Sequence, residues 1–269
     1  MFGFGLSLTI ADFKRVVAYP KSIFLGLFCQ MCLIPVLAWL VCRMFSLSPE
    51  TSIGVMILAA SPGGISANLF SHLAHGDIAL NLTLTAMNSV LAAFSLPLLV
   101  NLAYLLFANQ SQDIGLQFSK TLEVFAIVLI PVLIGMFVKK QKPSFSERMD
   151  KPVRIFSFLV LLLIMVAAIF KEWARLSESF GQIGLAMLTF NLGSMFIGYL
   201  LPRLLKISNR EATAISMEVG IHNSTLSMFI AVGLLNSFAL ALSSAVYSVI
   251  MFLTAGAFSY YLARKNAGT

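Results

Sequence analysis
The chain has 269 residues, of which 59% are hydrophobic and 11% charged, and its mean hydropathy is +0.91. Soluble domains carry about 25% charged residues, so this composition excludes a soluble core and predicts an all-α, polytopic membrane protein. The net charge of +7 comes from basic residues in short loops, which reads as topology signalling and not as a nucleic-acid footprint.

In chain order, the opening MFGFGLSLTIADFKR holds an apolar stub at 1–10, too short to span a bilayer. Runs of about 20 apolar residues then predict eight crossings, at 22–45, 51–75, 78–107, 114–138, 153–171, 180–204, 209–234 and 238–263. Polar or turn-forming stretches separate them: SLSPE at 46–50, HGD at 75–77, ANQSQD at 108–113, KKQKPSFSERMDKP at 139–152 and KISNRE at 206–211. Of the 18 basic residues, all but Arg43, Lys120, Lys171 and Arg175 fall in one alternate set of loops. The positive-inside rule makes that set cytoplasmic and puts the C-terminus inside. Cys29, Cys32 and Cys42 share the first span and read as small apolar side chains, because no second pair completes a metal or redox site. His72 and His75 read as an interfacial polar pair.

Two spans are interrupted. The first starts at Ser48-Pro49, an N-cap with proline at the first helical position, and meets PGGISAN at 62–68. The second starts at Ser208 with Glu211 three residues on, and meets VGIHN at 219–223. Proline and glycine break the first helix; Gly220 with His222-Asn223 breaks the second. The two spans run in opposite directions, one in each half of the chain. Paired interrupted helices of opposed direction mark inverted-repeat transporters, whose site lies where the breaks meet. The plainer alternative is two kinked packing helices.

Glu218 is the acid placed deepest in a span, where charge is costly. Around the breaks stand Ser66, Asn68, Asn81, Thr83, Thr85, Asn88, Asn223, Ser224 and Thr225. Carboxylate, amide and hydroxyl oxygens suit a hard monovalent cation. Asn81 and Thr85, four apart, share a helix face. Taken singly, such residues also serve helix–helix hydrogen bonding. No HExxH, GxSxG, Walker or dinucleotide-binding motif is present, and no nucleophile accompanies Glu218 and His222, so the expectation is not an enzyme.

On PGGISAN, GDIALNLTLTAMNS, EVGIHNSTL and MFGFGLSL…DF, nearly the whole chain resembles the bile acid:sodium symporter family. The resemblance implies an inverted-repeat fold of core and panel helices in one membrane domain, 1–269. Core-type helices would lie at about 22–107 and 180–263, panel-type at about 1–10 and 114–171. It implies two sodium sites behind the crossing of the broken helices and an organic anion in front. The first sodium site would use Asn68, Asn81, Thr85 and Glu218, with Ala67 and Asn81 at positions where serine is usual. The second would use Gln30, Glu218, the backbone carbonyls of Val219 and Ile221, and the position of His222, where glutamine is usual. Imidazole is a poor sodium ligand, so one site is expected and the second is in question; because imidazole titrates near neutrality, this place would be pH-sensitive. The alternative is a neutral His222 hydrogen-bonded to a neighbouring helix. Ser66 and Asn223 would face the substrate. The opening resembles the end of the family's second helix, which implies an N-terminally truncated, bacterial-type member.

The expected function is sodium-coupled symport of an organic anion across the cell (inner) membrane, with the lipid bilayer as setting, no nucleic acid and no obligate protein partner. Alternatives are a transport-inactive receptor or scaffold, or a fragment. An arsenite-type exporter of related fold would be expected to carry a cysteine in the first break, which PGGISAN lacks.

Overall fold
The computed structural model describes residues 15–107 and 118–266. The expected stub at 1–10 and the loop at 108–113 lie outside the described residues. The described chain is all-α: α1 (Pro20–Met44), α2 (Pro49–Ala60), α3 (Ile65–Leu73), α4 (Ile78–Phe107), α5 (Phe118–Gln141), α6 (Pro143–Lys171), α7 (Trp173–Leu204), α8 (Asn209–Gly220), α9 (Ser224–Leu234) and α10 (Phe238–Asn266). Among the described residues every expected span coincides with helix, counting α2–α3 and α8–α9 as one broken span each; the start of the 114–138 span lies outside them. By length and composition, α1, Gly181–Leu204 in α7 and Phe238–Arg264 in α10 are each able to cross a membrane unbroken. Helix α4 passes as two arms, Ile78–Ala92 and Phe94–Phe107, bent by 58°. Pro97 leaves the carbonyl of residue 93 without its helical donor at that bend.

Two expected loops are helical instead. Residues 143–152 form the first turns of α6, and the break expected between 171 and 180 shrinks to the single turn residue Glu172 before α7. Pro143 opens α6, where its fixed φ suits a first turn. Polarity there reports where the apolar run ends, not where the helix ends.

Helix α1 contains a π turn, Cys29–Leu33, just before Pro35, where the Ile34 amide bonds Cys29 O. Pro35 has no N–H for the ladder, and the widened turn accommodates its ring. Ser48 caps α2 by accepting from the Thr51 amide at 3.3 Å. Ser208 caps α8 by accepting from the Glu211 amide at 3.2 Å, and its hydroxyl donates to the Glu211 carboxylate at 2.9 Å.

The buried core runs through α2, α4, α7, α8 and α10. Glycine permits the closest approaches. A Cβ on Gly54 would sit 2.2 Å from Leu240 O of α10, and one on Gly198 would sit 2.8 Å from the Ser216 Cα of α8. Such backbone proximity is how helices pack where lipid supplies no hydrophobic drive between them. Phe24, Leu98, Phe196 and Leu253 stand exposed, as lipid-facing side chains do.

Candidate functional site: a polar crossing of two broken helices
Pro62 disfavours helical backbone at Ser61, which is extended at φ −74°, ψ 134°. Helix α2 therefore stops, and α3 restarts after Gly64. Helix α8 ends at Gly220, and Ile221 is extended at φ −117°, ψ 96°. The two extended pieces cross and pair: Gly63 and His222 form an antiparallel bridge, and the Asn223 amide donates to Pro62 O at 2.9 Å.

Beside this crossing lies the Glu218 carboxylate, 0% exposed. Its Oε2 accepts from the Thr85 hydroxyl at 2.5 Å and its Oε1 from the Asn88 amide at 2.9 Å. Gly63 makes room for it: a Cβ there would lie 2.5 Å from the Glu218 Cδ and 2.6 Å from each oxygen. Helix α4 presents Asn81, Thr85 and Asn88 on one face, at i, i+4 and i+7. Asn81 donates its amide to Ala214 O of α8 at 2.8 Å, and Asn68 of α3 donates to the Thr85 hydroxyl at 3.5 Å. Each of these amides spends its nitrogen on a protein acceptor. The side-chain oxygens of Asn68, Asn81 and Asn88 are buried without a partner. A buried polar atom left unpaired costs about 1–3 kcal/mol, and three such oxygens near one carboxylate are the donor set a hard cation takes.

At the other end of the crossing, the π turn of α1 sets Gln30 so that its amide nitrogen donates to Ala59 O at 3.0 Å and Ser61 O at 3.3 Å. His222 Nδ1 lies 3.1 Å from the same Ser61 carbonyl. A carbonyl only accepts, so Nδ1 carries the proton. The imidazole is stacked on Phe190, with ring centroids 5.5 Å apart and planes at 7°, and the Tyr247 ring lies 5.6 Å away. Glu218 and His222, four apart in sequence, thus engage different partners. His222 bonds the other broken helix.

Of the remaining expected site residues, Val219 and Ile221 are buried at the end of α8. Ser66 is half-buried in the first turn of α3. Asn223 is half-buried and uses its side-chain oxygen to cap α9, accepting from the Leu226 amide at 3.1 Å. His72 and His75 are exposed at the end of α3. Cys29 and Cys42 are buried, Cys32 is exposed, and all three are free. Among the described residues, no group of three or more His, Cys, Asp or Glu side chains gathers to hold a metal.

Asn88 was legible only as one oxygen among several, although its i+7 spacing from Asn81 puts it on the same face. A second group went unread. Asn191 of α7 donates to Gly220 O at 2.8 Å and to the Tyr247 hydroxyl at 2.9 Å. Tyr247 of α10 donates to the same Gly220 carbonyl at 2.8 Å, and Thr254 donates to the Asn191 side-chain oxygen at 2.5 Å. The sequence signal for it was a lone amide in the middle of an apolar span.

Two broken helices that cross at a buried, oxygen-lined carboxylate are the architecture of a secondary transporter. The model of the sodium bile acid symporter family matches residues 1–179, and the chain belongs to that family. The family is one of symporters, and the plant, bacterial and bovine relatives are named as transporters, not enzymes. The chain is 30% identical over 264 residues to a probable chloroplast sodium/metabolite cotransporter, BASS1, of Arabidopsis thaliana, covering 95% of this chain and 64% of that one. It is 30% identical over 269 residues to the uncharacterized sodium-dependent transporter YocS of Bacillus subtilis, covering 98% and 81%. It is 29% identical over 228 residues to a bovine sodium-dependent organic anion transporter, covering 83% and 59%. Against the human P3 protein, which it matches at 30% identity, it spans 47% of the length.

Proposed function
We propose that this chain couples entry of a sodium ion to symport of an organic anion across the cell membrane, with its C-terminus on the cytoplasmic side. The observation that carries the reading is the Glu218 carboxylate, buried beside three unpartnered amide oxygens. Sodium is the transported coupling ion, held by Glu218, Thr85, Asn81 and Asn68. In front of the crossing, α3 and α9 begin, and helix starts carry partial positive charge that favours an anion. Asn223 spends its oxygen on the α9 cap, which leaves its amide nitrogen as the donor suited to a carboxylate; Ser66 stands in the first turn of α3. The names of the plant, bacterial and bovine relatives, all sodium-linked transporters, point the same way. In this reading α1–α4 and α7–α10 form the core part, and α5 and α6 belong to the panel part.

The test is thermal unfolding of purified protein in sodium chloride against choline chloride. Sodium that binds only the folded state stabilises it by about 2.7 kcal/mol at about 100-fold above its dissociation constant. Glu218→Gln keeps the size and removes the charge, and is expected to abolish that gain. Alanine at Asn81 or Thr85 raises the sodium concentration needed for half the effect. Uptake of a panel of carboxylates into proteoliposomes under a sodium gradient identifies the substrate. Unchanged sodium stabilisation in Glu218→Gln removes the reading.

A further inference from the structure
We infer that the crossing accepts one sodium ion per transport cycle, beside Glu218, and that the opposite end, around His222, is closed to a second. The inference rests on the sodium-symport reading above and concerns its stoichiometry.

The first argument is charge. Among the described residues Glu218 is the one buried carboxylate. Its oxygens accept from Thr85 and Asn88 of α4, with Gly63 of the first break packed against both. One buried negative charge neutralises one monovalent cation. A second cation would have to share that one charge and find the rest of its ligands among neutral groups, and an undercompensated buried charge is expensive.

The second argument is that two of the carbonyl oxygens near His222 are already used. A carbonyl oxygen has two lone pairs. Ser61 O accepts from both Gln30 and His222. Gly220 O accepts from both Asn191 and Tyr247. The donors that fill these oxygens are themselves buried and fixed. Gln30 cannot exchange its amide ends, because that would set its oxygen against two carbonyls. His222 is stacked on Phe190.

The third argument is what remains. The unpartnered side-chain atoms at this end are Gln30 Oε1 and His222 Nε2. As side-chain ligands, one amide oxygen and one ring nitrogen are a poor pair for a hard cation, and the ring offers no oxygen in either protonation state. The Glu218 end has three unpartnered amide oxygens and a carboxylate. The consequence for transport is electrical. One sodium ion entering with a monovalent organic anion moves no net charge, so a membrane potential neither drives nor opposes the cycle.

The experiment is equilibrium binding of radiolabelled sodium to the purified full chain, with the Hill coefficient of sodium-dependent thermal stabilisation read in parallel. The expected result is one ion per chain and a Hill coefficient of about one. Two ions per wild-type chain overturn the inference and leave the symport reading intact. No bound sodium overturns both. His222→Gln replaces a nitrogen ligand with an amide oxygen, and is expected to add a second ion and to raise the Hill coefficient. A folded His222→Gln protein that still binds one ion overturns the assignment of His222 as the residue that closes this end. If that variant fails to fold, the wild-type count alone decides.

Discussion
The first helix break is made by its own residues, whereas the second is held by its neighbours. At the first, Pro62 has no N–H and forces Ser61 out of helical backbone, and Gly63 leaves space that a side chain would fill. At the second there is no proline. Helix α8 stops at Gly220, whose carbonyl is taken by Asn191 of α7 and Tyr247 of α10, and α9 restarts on a cap supplied by Asn223. In a membrane the groups released by a break have no water to turn to, so a break persists only where protein satisfies them. The first break is therefore started by its own residues, although Gln30 and His222 take carbonyls that it frees, whereas the second is held by its neighbours throughout.

The largest effect expected from breaking this comparison is at Gly63. Gly63→Ala puts a methyl group 2.5 Å from the Glu218 Cδ. The carboxylate is the movable end of its side chain, so the chain folds while Glu218 is pushed off Thr85 and Asn88. The expected outcome is complete loss of sodium stabilisation together with a lowered unfolding temperature in choline, because the displaced buried carboxylate loses both donors. A thermal melt with and without sodium checks it.

Next is Asn191→Leu, which strips the amide from Gly220, Tyr247 and Thr254 and leaves buried polar groups behind. Each such group costs about 1–3 kcal/mol, so a lowered unfolding temperature in both sodium and choline is expected. Tyr247→Phe removes one of the two donors to Gly220 O and is expected to cost about 1 kcal/mol. If both variants melt like the wild type, the second break does not depend on its neighbours. The smallest effect is Asn223→Ala, where loss of the α9 cap costs about 0.5–2 kcal/mol. Amide exchange is expected to rise first in the initial turn of α9, with α3 unaffected, because the first break has its own local cause.

Much of this protein was readable without coordinates. Apolar runs located helices among the described residues in every expected span, since a hydrocarbon core demands a minimum length of apolar helix. PGG marked the first break, and Ser48 and Ser208 marked two helix starts, because capping and proline effects act within a few residues. Polarity misled at 143–152 and 173–179, where the helices continue past their apolar stretches. Lipid exposure and helical backbone end at different places, and composition reports only the first.

The sequence by itself determined a membrane-embedded helical chain, a break at Pro62, and Glu218 as the acid set deep among amides and hydroxyls. The tertiary structure alone decided which of those amides face the carboxylate, that Gly63 and His222 pair, and that Asn191 and Tyr247 hold Gly220. Asn88 and Glu218 are 130 residues apart, and Ser61 and His222 are 161. Contacts at such separations depend on how far helices rotate and how closely they approach, at glycines such as Gly54 and Gly198. Local preferences act over a single turn and do not reach that far; only close packing of the whole bundle does.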